Sequence, residues 1–541
     1  MPSARQLIAV LLGLVSAGLL FGAPRVTQLP QDPLAWGLGP GVTTPTLVVF
    51  AIVSIVGVVM TLLWPRLAMV AFGLVGTGIG ILVLVEFRSS VLLLAIPALA
   101  AAVVLAVRVD RRVLIVSVIS IALVTAIAGG ITRWTYLEKY GATHPESSAI
   151  GIDGPADWMW VGGVTSTAAT IAAGELDEGD RTLHYRNDSG ATGFVTTTPG
   201  PYGVARFELS DLDPGTSYHY RIDEGDEVTF RTPQTGAQDL TVVLGSCARS
   251  GSNGAIFDAM LGEDPDLFLN LGDLHYANLV SDDPADHIAA IGRSLSTPAQ
   301  SALVSSVPTA WVWDDHDYGD DDSDSSSPSR EAVSVAYRRA VPHFGVDTDP
   351  AEPISQAFTI GRVRFVVTDT RSQRTSASML GERQLEWFLD EIGVSAQTHA
   401  AVVWMNPAPW LSHRGPGSDQ WGGFPDERRR IADAIAAAEI DNLVVVSGDY
   451  HMVAIDDGTN TGFASDGSPG FPLLHAGPLD RPAAAIGGPF SHGTYETAGQ
   501  YGKLEIEDDG GDTVQIRLSG HTWEGDEFVA LELDFDVPAG A

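Results

Sequence analysis

Four stretches place metal-seeking side chains directly after apolar runs: Gly245-Ser246-Cys247 follows "VVL", and Gly272-Asp273-Leu274-His275-Tyr276 follows "LFLNL". Asp314, Asp315 and His316 follow "AWVW", and Gly448-Asp449-Tyr450-His451 follow "VVVS". Ligands of layered sheets collect beyond the strand ends, so four such ends can present a thiol, carboxylates, a phenol and imidazoles to one place. Several carboxylates at half-buried strand ends repel one another by roughly 4 kcal/mol per pair at 4 Å and an effective dielectric near 20. Bound cations remove that conflict. Hard oxygen donors with one or two imidazoles suit Ca, Mg, Mn or Fe, and a thiol and a phenol add softer anions that suit trivalent iron. Asp449 and His451 lie two apart and point the same way if extended. Any one of these motifs is common; the ordered set of four is specific.

The elements that must carry these residues can be read from pattern. From residue 239 apolar strands alternate with helical stretches such as "ERQLEWFLDEI" and "DERRRIADAIAAAE", which predicts a layered α/β domain over 239–541. Its strands are "LTVVLGSC", "PDLFLNLGD", "PTAWVWDD", "VRFVVTDTR", "HAAVVWMN" and "NLVVVSGD", with antiparallel strands in the tail. Ahead of it, residues 158–236 alternate with period two between Gly, Pro, Asn and Asp, predicting an all-β sandwich. Within it "LSDLDPGTSYHYRI" looks like the fibronectin type III pattern, with Tyr218 and Tyr220 entering a late strand. This sandwich is expected to serve as a spacer or an active-site lid. Residues 136–157 have the composition of a linker.

Residues 1–135 hold five apolar runs, at 6–22, 45–64, 67–86, 89–107 and 113–132. The last four reach the ~20 helical residues that span a bilayer, which predicts a transmembrane region of about five helices. The first run is short and follows Arg5, so it reads as a span or as a signal peptide. Either count leaves the C-terminal portion outside the cytoplasm. No ionisable residue stands mid-run, so this region is expected to anchor the protein and not to transport.

Charge is distributed unevenly: residues 1–140 carry nine basic and four acidic side chains, and the remainder carries −41 of the net −36. A surface so acidic gives no cationic footprint for nucleic acid. The single cysteine, Cys247, excludes an intramolecular disulfide.

Six pieces, "GSCAR", "NLGDLHYA", "WVWDDHDYG", "TDTRSQR", "DQWGGFPDERRR" and "SGDYH", occur in the order found in the PhoD-like (alkaline phosphatase D) branch of the calcineurin-like metallophosphoesterases. The resemblance covers residues 155–541. It implies a metallophosphatase-type layered β-sandwich flanked by helices, preceded by a fibronectin III-like all-β domain. It makes Asp273 the metal-bridging carboxylate, with Cys247 and Tyr276 on an iron-like ion and Asp449 and His451 nearby. Asp315, or Asp314, would bind a second metal, and His316 would stand beside the phosphate as the group that stabilises or protonates the leaving oxygen. Arg371 would grip phosphate oxygens through a charge-assisted fork. Asp321 occupies a place where relatives often carry Asn, and as a metal ligand it would still offer an oxygen while adding charge. Fe(III) and Ca(II) are the implied metals, with other divalent ions as alternatives. His275 and His413 take no role from the resemblance.

The implied activity is hydrolysis of phosphate esters by a metal-activated hydroxide, in an enzyme anchored in the cell membrane with its catalytic domain outside the cytoplasm. The expected partners are a phosphate-ester small molecule, a lipid head group or a cell-wall polymer. A phospholipase D-like diesterase and a non-catalytic, membrane-tethered binding protein are the alternatives. The twin-Arg export signal frequent in the family is not visible, and the apolar runs stand in its place.

Overall fold

The computed structural model describes residues 4–22, scattered positions between 52 and 102, and 145–541 apart from 413, 414, 416, 482, 484 and 485. It divides into two units, Met1–Glu138 and Lys139–Ala541. In the first, helix α1 (Ala4–Gly22) coincides with the first apolar run. Gln6 Nε2 donates to the Thr61 carbonyl at 3.0 Å, and the Ser16 and Ser54 hydroxyls lie 3.3 Å apart, tying α1 to helical residues near position 60. Among the described residues no helix is long and apolar enough to cross a membrane. The run at 45–64 falls in part outside the described residues, those at 67–86 and 89–107 almost wholly, and that at 113–132 wholly.

The second unit opens with β1 (Trp158–Gly162), β2 (Ala169–Gly174), β3 (Arg181–Asn187), β4 (Thr192–Thr197), β5 (Ala205–Leu209), β6 (Ser217–Ile222) and β7 (Val228–Arg231). These make the expected sandwich. The Tyr218 hydroxyl accepts the Asp213 N–H at 2.7 Å, the tyrosine corner that closes such sandwiches. The sandwich is not a free spacer, however. Strands β3, β4, β6 and β7 form their own sheet, while β1, β2 and β5 continue the large sheet of the following domain through the pairing of Gly162 with Thr309. Both faces of β1 are buried: Met159 and Val161 enter the sandwich core, and Trp158 and Trp160 enter the core of the next domain. Trp160 Nε1 donates to the Ala340 carbonyl at 2.6 Å, and the Tyr220 hydroxyl to the Ser305 carbonyl at 2.7 Å.

The next domain runs β8 (Leu240–Gly245), α2 (Ala255–Gly262), β9 (Leu267–Asn270), α3 (Pro284–Leu295), α4 (Pro298–Ser306), β10 (Thr309–Trp311), α5 (Asp315–Tyr318) and α6 (Arg330–Ala340). It continues through β11 (Gln356–Ile360), β12 (Val363–Val367), α7 (Glu382–Thr398), β13 (Ala401–Met405), α8 (Pro425–Ala437) and β14 (Leu443–Ser447). Short strands β15 (Val453–Asp456), β16 (Leu473–His475) and β17 (Thr494–Tyr495) precede the long β18 (Gln500–Glu507), β19 (Thr513–Thr522) and β20 (Glu527–Asp536). The six strands and two helices expected from pattern all form, and the tail is antiparallel as anticipated. Pattern reading passed over β4, β11 and β15 to β17, which are short or lie at sheet edges.

Two sheets face each other, one ordered β20-β19-β18-β8-β9-β10-β1-β2-β5 and the other β11-β12-β13-β14-β16-β15-β17. Period-two alternation decides what lies between them. Val363, Phe365, Val367, Val403, Met405, Val444 and Val446 join the core that the large sheet shares. Val366, Val402, Trp404 and Val445 turn the other way, onto Leu385, Phe388 and Ile392 of α7 and Ile431 and Ile435 of α8. Strands β8, β9 and β10 are parallel in one sheet and β12, β13, β14 and β16 in the other.

Candidate metal centre

The parallel strands bring the chemistry to one edge. Cys247 lies just past β8, Asp273 past β9, Asp314 past β10 and Asp449 past β14. Three of these residues leave their strands through left-handed backbone, with φ of 63° at Cys247, 53° at Asp273 and 68° at Asp449. Such conformations cost a non-glycine residue on the order of 1 kcal/mol or more and persist where the surroundings over-determine them. Neighbouring glycines make the tight approach possible. A Cβ on Gly272 would stand 2.5 Å from that of Asp314, and one on Gly448 would stand 2.6 Å from the Leu271 carbonyl oxygen.

The side chains meet in a connected set. The Tyr276 hydroxyl donates to Asp273 Oδ2 at 2.8 Å and lies 3.0 Å from His451 Nε2. Cys247 Sγ is 3.6 Å from Asp273 Oδ2 and 3.6 Å from the Asp449 carbonyl oxygen. The His316 ring packs 4.1 Å from the Tyr276 ring, with Nδ1 2.7 Å from Asn278 Oδ1. Three groups present ligand atoms within 4.8 Å of one another: Asp273, Asp315 and His316; Asp314, Asp315 and Asp449; and Asp315, Asp322 and Asp419. Asp315 belongs to all three.

Electrostatics tests whether cations fit here. Burial, reinforced by neighbouring carboxylates, pushes Asp273 and Asp449 well above the usual carboxylate range. Burial likewise raises Asp314, to about 7 even against the pull of Arg371. Cys247 and Tyr276 are driven up, first by burial and then by Asp273. Asp315 alone goes down, to about 2: burial opposes its charge, but His316, Arg371 and the Asp322 N–H outweigh it. Three buried carboxylate oxygens, Asp273 Oδ1, Asp314 Oδ2 and Asp315 Oδ1, have no hydrogen-bond partner. Orphaned acceptors of this kind, in a cluster that cannot ionise unaided, are what a cation satisfies. The donor set fits hard metal ions, with a thiol and a phenol on the Asp273 side.

Residues 242–483 match the PhoD-like phosphatase family. Over that span the chain is similar to that family. Alkaline phosphatase D of Bacillus subtilis (strain 168) is 22% identical, over 45% of this chain and 52% of that protein, so the chain spans about half the length of this curated relative. A solved structure of PhoD superposes with a TM-score of 0.56 at 15% identity, covering 73% of this chain and 92% of that one. The purple acid phosphatase PPD1 from yellow lupin (Lupinus luteus) seeds gives 0.51 at 14%, covering 70% and 74%. The shared feature these two establish is the fold.

The structure brings Cys247, Asp273, Tyr276, Asp314, Asp315, His316, Asp449 and His451 together beyond the strand ends. Two expected residues are placed differently. Arg371 is fully buried; its Nε donates to Asp314 Oδ1 at 2.5 Å, and its Nη2 lies 3.4 Å from Asp419 and 3.8 Å from Asp315. It is a counter-ion beneath the carboxylates and does not face an open site, because three aspartates saturate its fork. Asp321 is outside the three groups: its side chain is 66% exposed and meets only the rim, 3.4 Å from His316 Nε2.

Four contributors of the centre escaped sequence reasoning. Asp322 stands in the acidic run that follows Asp321, and its N–H donates to Asp315 Oδ2 at 2.7 Å. Asp419 stands in the "DQWGGFP" block without a strand to announce it. Asn278 fixes the His316 ring, and Arg481 lays its guanidinium 4.0 Å over the Tyr276 ring with no hydrogen bond at Nε. His275 is buried and packs its ring 3.7 Å from Asp317, while His413 lies outside the described residues.

Proposed function

We propose that this chain is a metal-dependent phosphoesterase whose centre is built on Asp315. The observation that carries the reading is the overlap of three ligand groups on that carboxylate, with unpartnered buried oxygens on Asp273, Asp314 and Asp315. Asp273, Asp314, Asp315, Asp449, Asp322 and Asp419 would hold the ions, with Cys247, Tyr276 and His451 on the Asp273 side. Bound there, the ions would supply the Lewis acidity and positive charge that phosphate ester hydrolysis needs.

The chain's own residues do the rest. Asn278 accepts from His316 Nδ1, which leaves Nε2 as the ring atom that handles a proton. Asp321 Oδ1 lies 3.4 Å from Nε2, and His316 is the group that would deliver a proton to a leaving oxygen. Arg371 keeps Asp314, Asp315 and Asp419 in place. Among the described residues, Arg481, half-buried over Tyr276, is the cation we assign to phosphate oxygens, and the grip first assigned to Arg371 passes to it.

The finer reading follows the donors. The Cys247 thiol and Tyr276 phenol favour a trivalent iron, and the all-carboxylate groups favour calcium or another hard divalent ion. The apolar runs within 1–135 support a membrane anchor that leaves the PhoD-like domain outside the cytoplasm, where lipid head groups and cell-wall phosphodiesters join small phosphate esters as substrates. Metal analysis of the full chain purified in detergent, with hydrolysis of a mono- and a diester, tests this. Asp273→Asn is expected to lose turnover while retaining its thermal unfolding transition. Full activity in that variant would sink the assignment.

A further inference from the structure

Asp317 sits two residues beyond Asp315, fully buried, in the single turn of α5. The ligand groups do not use it. Its carboxylate instead collects backbone amides: Oδ2 accepts the Asp314 N–H at 3.1 Å, and Oδ1 accepts the His275 N–H at 3.2 Å. Asp314 returns the contact, its side chain accepting the Asp317 N–H to complete a reciprocal cap. One side chain thus ties the loop after β9, which carries Asp273 and Tyr276, to the loop after β10, which carries Asp314, Asp315 and His316.

The arrangement has a purpose that packing alone does not require. Asp273 holds left-handed backbone at φ 53°, and its loop presses Gly272 against Asp314. Unpaired amides at such a bend would let the two loops part. Asp273 and Asp315 belong to one ligand group but to different strands, so their spacing is set by whatever joins the loops. The backbone pairing of their strands ends with the Val312 N–H on the Asn270 carbonyl, short of both.

We infer that Asp317 is a positioning residue for the cation site: it holds the Asp273 and Asp315 loops at ligand spacing before any ion binds. The inference rests on the metal-centre reading above. It also gives the motif's last aspartate a role distinct from its neighbours, and explains His275 as a donor through its main chain. Asparagine cannot replace it, since one of its two polar atoms would turn an N–H against a backbone N–H.

The test titrates the chelator-treated full chain in detergent with Mn²⁺ by calorimetry, for the wild type, Asp317→Asn and Asp317→Glu. Outer-shell partners of metal ligands are worth about 10- to 100-fold in affinity, and Asp317→Asn is expected to lose that much. Asp317→Glu keeps both acceptor oxygens and is expected to recover part of it. Wild-type affinity in Asp317→Asn overturns the inference even if its metal-free unfolding midpoint falls, because the residue would then be merely structural. Absence of Mn²⁺ binding in the wild type would overturn the functional reading instead. Amide exchange on the metal-free wild type needs no variant to fold: the Asp314 and His275 amides should be protected before Mn²⁺ is added, and fast exchange at both refutes preorganisation.

Discussion

Removing the cations should leave protons in their place, and the geometry says how many. The three ligand groups together hold six aspartates, with Arg371 paired among them as a buried counter-charge. Ligand atoms within 4.8 Å of one another repel by roughly 3.5 kcal/mol per ionised pair at an effective dielectric near 20. The free centre escapes by protonation: Asp273 and Asp449 are raised well above the ordinary range, and Asp314 to about 7. A carboxyl group titrating near 7 is about 90% protonated at pH 6, and burial with neighbouring carboxylates favours the proton on Asp273 and Asp449 as well. A cation must displace these protons, so its affinity climbs as pH rises. Each proton released corresponds to about 10-fold in affinity per pH unit. Calorimetric titration of the chelator-treated full chain with Mn²⁺ at pH 6, in two buffers of different protonation enthalpy, counts the protons. Repeating it at pH 7 gives the slope. Identical enthalpies in both buffers and an unchanged Kd would refute the argument, since the carboxylates would then be ionised before binding.

The two arginines should separate cleanly. Arg371→Ala leaves Asp314 and Asp419 buried without their partner and is expected to destabilise the fold by about 3–5 kcal/mol in denaturant unfolding. Arg481→Ala should leave the unfolding transition in place and raise KM for a phosphate ester about tenfold, the loss of one charge-assisted contact. Tyr220→Phe removes the hydroxyl that bonds the Ser305 carbonyl between the sandwich and α4, and is expected to cost about 1 kcal/mol by the same unfolding assay. An unchanged midpoint there would show that the buried strand β1 alone joins the two parts.

Much of this molecule is written locally. Alternation with period two gave the sandwich strands, and apolar runs ended by Gly-Asp, Asp-Asp-His or Gly-Asp-Tyr-His marked where ligands would stand, because a strand end fixes both the position and the direction of the next few residues. Eight of the expected site residues needed nothing more. What escaped did so for lack of such a frame. Asp419 sits in irregular chain between β13 and α8, Asn278 and Arg481 in loops, and Asp322 in an acidic stretch that looks solvated.

Charge type is fixed by sequence, but charge environment is not. "DTR" announces an arginine near a strand end; only the packed structure shows its fork consumed by Asp314, Asp315 and Asp419, turning a phosphate grip into an internal counter-ion. Likewise the sandwich looked separable until β1 was seen to bury both faces, one in each core. Burial and ion pairing depend on which distant segments arrive, and that is settled by tertiary packing, whereas periodicity and strand-end chemistry are properties of a few consecutive residues.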